Sequence, residues 1–527
     1  MKKFMALALA LAMTLSLAAC GKNEGENAPL EGGTGSSEYK DEITIAVKAD
    51  TDTFDPMVAN GSTADGLMLL LYSPLLQFDN DGVAQPHIFT EWTTSEDERT
   101  WTFKVRDDVN FHNGKHMTSK DIKATFERAM DSDGGLRTTR LISMFESVEA
   151  PEDYVIKITT KDPYGPMLAL LCNFWVMDSD MIDKYGNDIG KNPEAVNGTG
   201  PYKLSSWEPD QEILMERFDD YFIDEQVAKT KYLREVVIPE SAAQMIALET
   251  GEIDIAKIPS DELERFKSLD EFKVVESPSN GQRCFRFGCN DDIMKDVKVR
   301  QAILYAIDRQ TIIDTMFKGT GDPSTGPFTP ADWGYANLGV IERDLEKSKQ
   351  LLAEAGYPDG FDTTIMTTAT YAKGDQLAEV ISAQLKEVGI NARIEVLEWS
   401  NFISVTDGIT AEEFNYPIFI MGTGPSMRDP DGSRLLYKTS SSGLNDLNYG
   451  FYSNAEFDEL CEKQRTQTNP DERKATLKRM QEIIYLEDPA AFWIYDQKHS
   501  TGMSANVEGF DVNIAGYVIP MNITIKK

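Results

Sequence analysis

A strand, a helix and a second strand follow one another between residues 363 and 396, and this order restricts the fold more than any other feature. Residues 363–368 are rich in β-branched side chains, and residues 390–396 alternate apolar with polar side chains. Between them, Leu377, Ile381 and Leu385 recur at helical spacing. Two strands joined by one helix form a right-handed crossover and are parallel. The sequence therefore predicts an α/β protein with a parallel strand pair.

Strand and helix signals alternate along the rest of the chain, without an internal repeat. Strands are predicted at 43–47, 101–105, 155–159, 253–256 and 491–495. Helices are predicted near Ser241 and Asn454 and after the capping residues Thr118, Asp296, Asp344 and Asn469. A chain of 527 residues exceeds what one hydrophobic core organises. We therefore expect two or three packed α/β lobes with mixed sheets.

The first 40 residues have the pattern of an export signal followed by a tether. Lys2 and Lys3 precede an apolar stretch at 4–17, which is too short to span a membrane. It ends in Leu-Ala-Ala-Cys-Gly, which resembles the lipobox of bacterial lipoproteins and makes Cys20 the lipidated residue. We predict a signal peptide at 1–19 and a flexible Gly-, Ser- and Glu-rich tether at 20–40. The alternative is an ordinary signal peptide with an incidental cysteine.

The net charge of −35, from 52 basic and 87 acidic residues, excludes some partners. Nucleic acid and anionic lipid surfaces would repel such a chain. We therefore expect no nucleic acid partner, and membrane attachment only through the lipid anchor, because no later segment is apolar enough to span a bilayer.

Catalytic and metal-binding motifs are missing from the sequence. There is no G-x-S-x-G, H-E-x-x-H or phosphate-binding glycine loop, and the chain has only 4 His. His112 and His116 are four apart, but the intervening turn breaks the helical spacing that two ligands would need. Cys172, Cys284, Cys289 and Cys461 lack the spacing of metal ligands, and a disulfide between Cys284 and Cys289 is not expected. We expect no enzyme activity, no metal site and no cofactor.

Five segments in collinear order carry motifs of a known family. They are 101–115 with 118–122, 198–202 with Trp207 and Tyr221, 299–309, 351–358, and 471–473 with its helix. The first reads WTFKVRDDVNFHNGK and the second GTGPY. Together they resemble solute-binding protein family 5, the extracellular receptors of dipeptide, oligopeptide and nickel ABC importers.

The resemblance implies a periplasmic-binding-protein-like clamp of two lobes with an extra subdomain. The first lobe would combine residues 41–285 and 497–527, with a subdomain inserted at about 73–197. The second lobe would comprise residues 286–496. The chain would cross between lobes near 285–287 and 493–495, which makes a hinge.

The same resemblance implies a receptor that delivers a small solute to ABC permease subunits. The receptor would be a monomer, lipid-anchored on the extracytoplasmic side of the cell membrane. We expect a short or modified peptide or another anionic solute, with a nickel or metal chelate as the alternative. A sensory lipoprotein with this fold and a secreted lipoprotein enzyme, such as a glycosidase, are alternatives of other classes.

Three arginines and one acid are candidates for contact with a charged ligand. Peptide-binding members hold the ligand's amine with an Asp shortly before a DP turn. Here Asp429 begins that turn, so the amine-holding position falls near Ser426, and Arg428 favours an anion. Arg137 and Arg140 are three apart and form a candidate anion clamp, or alternatively are surface charges. A shifted alignment would bring Asp429 into the pocket.

Other candidates are aromatic or polar residues near predicted strand ends. Each of them has an alternative role in the core or in a turn. The aromatic candidates are Phe54, Trp175, Trp399 and Tyr449, and the polar ones are Thr423 and Asn445.

Overall fold

The computed structural model describes residues 38–59, 62–79, 82–131, 142–368, 373–406, 408–423, 429–439, 447–513 and 517–527. Tyr39–Lys527 is one compact unit. The backbone N–H of Lys40 donates to Ile525 O at 2.8 Å, and Tyr39 forms a bridge with Lys526. The compact unit therefore begins at Tyr39, two residues before the predicted start of the first lobe at residue 41.

Nineteen strands are present in the described chain. They are β1 Glu42–Val47, β2 Leu76–Phe78, β3 Ala84–Pro86, β4 Phe89–Thr94, β5 Thr100–Val105, β6 Phe145–Glu152, β7 Val155–Thr160, β8 Tyr202–Glu208, β9 Glu212–Arg217, β10 Tyr232–Val237, β11 Ile255–Lys257, β12 Phe272–Phe287, β13 Asp322–Pro323, β14 Phe361–Thr368, β15 Ile390–Leu397, β16 Ile418–Thr423, β17 Ala491–Ser504, β18 Val507–Glu508 and β19 Thr524–Ile525.

The described α-helices are α1 Ser62–Leu71, α2 Ser119–Asp131, α3 Met167–Leu171, α4 Ser179–Tyr185, α5 Ser241–Thr250, α6 Leu263–Lys267, α7 Val297–Ala306, α8 Arg309–Met316, α9 Leu345–Glu354, α10 Gly374–Lys386, α11 Trp399–Ser404, α12 Ala455–Thr466 and α13 Pro470–Glu482. The predicted caps are confirmed where the sequence placed them. Asp296 accepts from Lys298 N, Asp344 accepts from Lys347 N, and Thr118 N donates to Asp121 Oδ2 at 3.0 Å.

One mixed sheet runs through the molecule. Its strand order is β15-β14-β16-β12-β17-β11-β1-β10-β9-β8, with β13 paired to β17. The predicted crossover is confirmed, because β14 and β15 are parallel and α10 connects them. β1 is parallel to both β10 and β11, and β14 is parallel to β16. A separate sheet, β4-β5-β7-β6, is antiparallel.

The buried side chains form distinct cores. We use the name first lobe for the residues that pack in two clusters on β1 and β8–β11, and second lobe for those that pack around β14–β16 and α7–α13. The insertion is a third core whose members run from Met57 to Ala195, around β4–β7 and α2. Along the chain, these clusters occur in the order that was predicted for the lobes. The residue boundaries of the lobes remain predictions.

Two long strands connect the lobes. β12 and β17 are antiparallel, and their register shifts between Pro278 and Gln282. Phe285, Phe287 and Tyr495, which lie at the predicted crossings, pack in the second-lobe core. The register shifts again between Arg283 and Cys284, directly before the predicted crossing at 285–287, and the exact position of the crossing stays a prediction. The described cysteines Cys172, Cys284, Cys289 and Cys461 form no disulfide.

Candidate functional site

The strand directions locate the site. β11 is antiparallel to β17, and its last residue Lys257 pairs with Thr501, beside the crossing between lobes. β16 is antiparallel to β12, and its last residue Thr423 pairs with Gln282 at the same crossing. β1 and β14 run parallel to β11 and β16, so their carboxyl ends also point there. Ligands of open α/β sheets bind outside the carboxyl ends of the strands, which makes the crossing the candidate site.

Buried polar side chains form hydrogen bonds at the crossing itself. Asp496 accepts from Gln282 Nε2 at 2.7 Å and from Ser324 Oγ at 2.6 Å. Burial raises the pKa of Asp496 above its ordinary value, although both hydrogen bonds oppose the change. The carboxyl group therefore ties β12, β17 and the segment after β13 together where the regular pairing is broken.

Contacts join the lobes on both sides of the crossing. On one side, Gly165 N of the insertion donates to Arg465 O at 2.7 Å, and Tyr164 OH donates to Asp431 Oδ2 at 3.5 Å. On the other side, Lys373 Nζ lies 3.1 Å from Asp261 Oδ1. A side chain at Gly165 would overlap Gln467 O, which only a glycine avoids. The lobes thus meet at two places that flank the candidate site.

The segment after β16 contains a buried network of ion pairs. Asp429 accepts two hydrogen bonds from Arg473, at 2.6 and 2.5 Å. Asp431 accepts from Gln464 Nε2 at 2.7 Å and from Arg434 Nε at 2.9 Å. Burial alone would raise the pKa of Asp431, but the neighbouring guanidinium groups outweigh it and lower the pKa. Asp429 is therefore paired at both oxygens, and the arginines around Asp431 favour its ionised form.

A cavity of about 470 Å³ lies in the first lobe at the carboxyl ends of β1 and β11. Its floor is the sheet, with Ile45, Leu233 and Ile255, and its roof is formed by α1 and the segment from Tyr517 to Pro520. The exposed residues Lys48 and Ala49 also line it, as does Lys498 of β17. The cavity therefore adjoins the crossing.

Polar side chains line part of this cavity, among them Glu235, Lys257, His499 and Thr501. Burial, and then the charge of Asp50, raise the pKa of Glu235 to about 8. Burial lowers the pKa of Lys257 to about 8. Burial, and then the charge of Lys257, lower the pKa of His499 to about 4. The fourth side chain, Thr501, is 1% exposed.

Comparison with known proteins identifies the family. The model of bacterial extracellular solute-binding proteins, family 5, matches residues 83–445. The chain belongs to this family. The glutathione-binding protein GsiB of Salmonella typhi is 27% identical over 475 residues, which cover 89% of this chain and 91% of that protein. GsiB of Escherichia coli O157:H7 is 26% identical over the same length.

Solved structures of family 5 proteins share the two-lobed fold. The periplasmic binding protein DppA of Helicobacter pylori, in complex with the peptide STSA, has a TM-score of 0.77 and 27% identity and covers 92% of this chain and 98% of its own. CtaP of Listeria monocytogenes has a TM-score of 0.83 at 22% identity, covers 92% of this chain and 99% of its own, and shows the fold alone. The α/β two-lobe clamp with mixed sheets is confirmed, and a family 5 member is a substrate-binding receptor of an ABC importer.

The structure places two predicted aromatic residues in the first-lobe core. Phe54 is fully buried, with Trp207 edge-on at 5.1 Å between ring centroids, so it does not line an open cleft. Phe54 packs into the first-lobe core with Trp207, a contact between segments distant in sequence, and this accounts for the correction. Trp175 is half-buried against the same core, and its buried Nε1 has no hydrogen-bond partner among the described residues.

Two predicted residues lie at the same small core of the second lobe. Trp399 is 42% exposed at the start of α11 and stacks on Phe402 with ring centroids 5.7 Å apart. Tyr449 packs against the small core that contains Phe402. The backbone of Thr423 ends β16 at the crossing. Asp429, by contrast, lies near the site but is occupied by Arg473, so the structure does not present it to a ligand.

Several predicted residues lie outside the described part of the chain. They are Cys20, Arg137, Arg140, Arg428 and Asn445. Among the described residues, no group of three His, Cys, Asp or Glu side chains is arranged as a metal site requires. Within the same ranges, no helix has the length and apolar character to cross a membrane.

Sequence reasoning missed Glu235, Lys257, His499 and Thr501. One signal was available in β10, where Leu233 and Glu235 occupy the same face because side chains alternate along a strand. Leu233 is fully buried, so a charged residue two positions later occupies an inward position. The other three residues become neighbours of Glu235 only through the pairing of β11 with β17.

Proposed function

We propose that this protein captures a small peptide-like or anionic solute between its two lobes and delivers it to an ABC permease. The observation that carries the proposal is the 27% identity to the glutathione-binding protein GsiB over 89% of this chain. DppA, solved with the peptide STSA, supports the same ligand class. Both ligands are short peptides that carry carboxylate groups.

Capture follows from contacts that form only when the lobes meet. A solute bound at the crossing touches both lobes and stabilises the closed state by its differential affinity for that state. The contacts of Tyr164 with Asp431 and of Gly165 with Arg465 join the lobes in the same state. The permease then distinguishes loaded from empty receptor by shape. No covalent step is needed, and the receptor acts without catalysis and as a monomer.

The ligand contacts are part of the proposal. Arg137, Arg140 and Arg428 bind the anionic group of the solute, and Trp399 and Tyr449 contact its apolar part. Trp175 and Asn445 supply hydrogen-bond donors. Replacing Arg137 and Arg140 together by Ala is expected to weaken binding of a carboxylate-bearing solute by tenfold or more. Unchanged affinity in calorimetric titration would remove the two arginines from the site.

The location of the receptor is also proposed. Cys20 carries the lipid that anchors the mature chain on the extracytoplasmic side of the membrane, and residues 21–38 act as a tether. Cys20→Ala is expected to release the protein from membranes during cell fractionation. Mass spectrometry of the N-terminal peptide checks the lipid directly, and an unmodified Cys20 in membrane-associated protein would contradict the anchor.

The ligand class is tested by thermal melting of the purified protein with glutathione, mixed dipeptides, mixed tripeptides and nickel–histidine. A true ligand raises the melting temperature progressively with concentration above its Kd. We expect a peptide or glutathione to do so. A rise with nickel–histidine alone would replace the peptide-like solute by a metal chelate.

A further inference from the structure

The first-lobe cavity contains two buried polar atoms without hydrogen-bond partners in the described part of the chain. Glu235 is 8% exposed, and its Oε2 has no partner. Thr501 is 1% exposed, and its Oγ1 has none either. Both residues line the cavity of about 470 Å³. Buried polar groups are nearly always hydrogen-bonded, so two exceptions in one cavity indicate that a bound molecule supplies the partners.

The two atoms are too far apart to share one partner. Glu235 of β10 pairs with Ile45 of β1, which pairs in turn with Ile255 of β11. Lys257, at the end of β11, pairs with Thr501 of β17. Glu235 and Thr501 are therefore separated by three strand spacings, about 14 Å between strand axes. The bound molecule has to present a separate polar group at each end of the cavity.

The charges around the cavity disfavour an ion beside Glu235. Lys48, Lys257 and Lys498 line the cavity and would repel a cationic group. Burial, and then the charge of Asp50, raise the pKa of Glu235 to about 8, and the same charge of Asp50 would repel an anionic group. An uncharged polar group meets neither repulsion.

The carboxyl group of Glu235 is itself uncharged at neutral pH, because an ionised carboxylate is costly in an apolar cavity next to a second acid. The apolar side chains that line the space are Ile45, Leu70, Leu233 and Ile255. His499 is also uncharged, because burial, and then the charge of Lys257, lower its pKa to about 4. A protonated carboxyl group has an O–H donor and a carbonyl acceptor. An amide suits both, since its N–H donates to the carbonyl oxygen and its C=O accepts from the O–H.

We propose that this cavity binds amide groups of the solute, with one amide hydrogen-bonded to the carboxyl group of Glu235 and a second to the hydroxyl group of Thr501. The inference rests on the proposed receptor function and specifies how the peptide-like solute is recognised. A peptide carries an amide at every residue, so it supplies polar groups at both ends of the cavity. The anionic group of the solute is left to Arg137, Arg140 and Arg428, as proposed above.

The experiment compares variants that remove the polar group with a variant that keeps it. Glutathione and mixed dipeptides, tripeptides and tetrapeptides are screened by thermal melting of the purified protein, and calorimetry measures the best hit. Glu235→Met should weaken binding about tenfold, because it removes one buried hydrogen bond. Glu235→Gln keeps an uncharged donor and acceptor and should bind within about threefold of wild type. Thr501→Val keeps the shape of the side chain and should weaken binding about fivefold.

The solute is varied as well. Replacing one amide of the best hit at a time by an ester removes the N–H donor and weakens the carbonyl acceptor. One ester should bind wild type about tenfold more weakly, yet bind Glu235→Met as well as the unmodified solute does, because both changes remove the same hydrogen bond. Glu216→Met is the matched control and should leave the affinity unchanged, since Glu216 lies on the neighbouring strand β9 and pairs with Lys203 and Lys231 outside the cavity.

The outcomes separate this inference from the receptor function. If Glu235→Met or Thr501→Val binds the best hit as wild type does, the receptor function holds and the amide inference is wrong. A loss of thirtyfold or more in Glu235→Gln would show that recognition depends on the charge of Glu235, which overturns the inference as well. Wild type that binds every ester like the unmodified solute also overturns it, and this test holds even if a variant does not fold. If no peptide in the screen binds, the inference fails with the peptide-like ligand class.

Discussion

Buried acids lie on either side of the crossing between lobes, and they differ in how their charges are satisfied. In the second lobe, Asp429 has both oxygens paired with Arg473, and Asp431 is surrounded by arginines. In the first lobe, Glu235 Oε2 has no hydrogen-bond partner among the described residues, and the neighbouring Asp50 is also acidic. A buried acid near a binding site is therefore not automatically a ligand contact. A paired acid stabilises the fold, whereas an acid oxygen without a partner in a cavity is able to accept a hydrogen bond from a bound molecule.

The largest expected effect comes from breaking the second-lobe pair. Asp429→Asn leaves the Arg473 guanidinium buried without its counter-charge, so we expect the free energy of unfolding to fall by about 3–5 kcal/mol. Urea denaturation measures the free energy of unfolding of both proteins. Asp471→Asn, at an exposed position of α13, is the control and should change stability by about 0.5 kcal/mol or less. Equal effects of the two variants would show that the Asp429 pair is not structural.

The second-largest expected effect is the contribution of Glu235 to the pH dependence of the free energy of unfolding. The folded pKa of about 8 lies above the ordinary value of 4.5, so the folded state keeps a proton that the unfolded state loses. Stability relative to Glu235→Gln should therefore fall as pH rises from about 4.5 to 8, at up to about 1.4 kcal/mol per pH unit. Urea denaturation of both proteins across this range checks it. A difference independent of pH would mean that Glu235 is paired in the folded protein.

A smaller effect is expected from the contact between the insertion and the second lobe. Tyr164→Phe removes the hydroxyl that donates to Asp431 while it keeps the buried ring. The loss of one hydrogen bond made in the closed state should weaken solute binding by about fivefold, or about 1 kcal/mol. Calorimetry measures the affinity. Tyr154→Phe, a conservative change elsewhere in the insertion, should leave affinity unchanged.

The smallest effect is expected at the contact between the lobes on the other side of the crossing. Lys373 and Asp261 form an ion pair that is partly exposed, so solvent and salt screen it. Asp261→Asn should weaken solute binding by about threefold or less, and the difference should shrink at high salt. A larger loss that persists at high salt would mean that this pair controls closure.

Much of the fold could be predicted because its elements carry local signals. The crossover of β14, α10 and β15 follows from the spacing of Leu377, Ile381 and Leu385 and from the alternation of residues 390–396. Helix caps such as Asp344 and Asn469 are equally local. The register shifts of β12 could not be predicted, because they depend on pairing between segments distant in sequence.

The site was harder to predict than the fold. Asp429 appears as a candidate because its motif is local, whereas its partner Arg473 is 44 residues away. Phe54 appears as a candidate because it follows β1, whereas Trp207 and Tyr72 enclose it only in the folded protein. Glu235 was missed because its environment is created by Ile45 and Thr501, on other strands.

The most direct test of the account is small-angle X-ray scattering of the purified protein with and without its best peptide or glutathione ligand. The account predicts that a solute which raises the melting temperature also reduces the radius of gyration, because the lobes close on it at the crossing of β12 and β17. A solute that binds with an unchanged radius of gyration in both wild type and Tyr164→Phe would contradict the clamp mechanism.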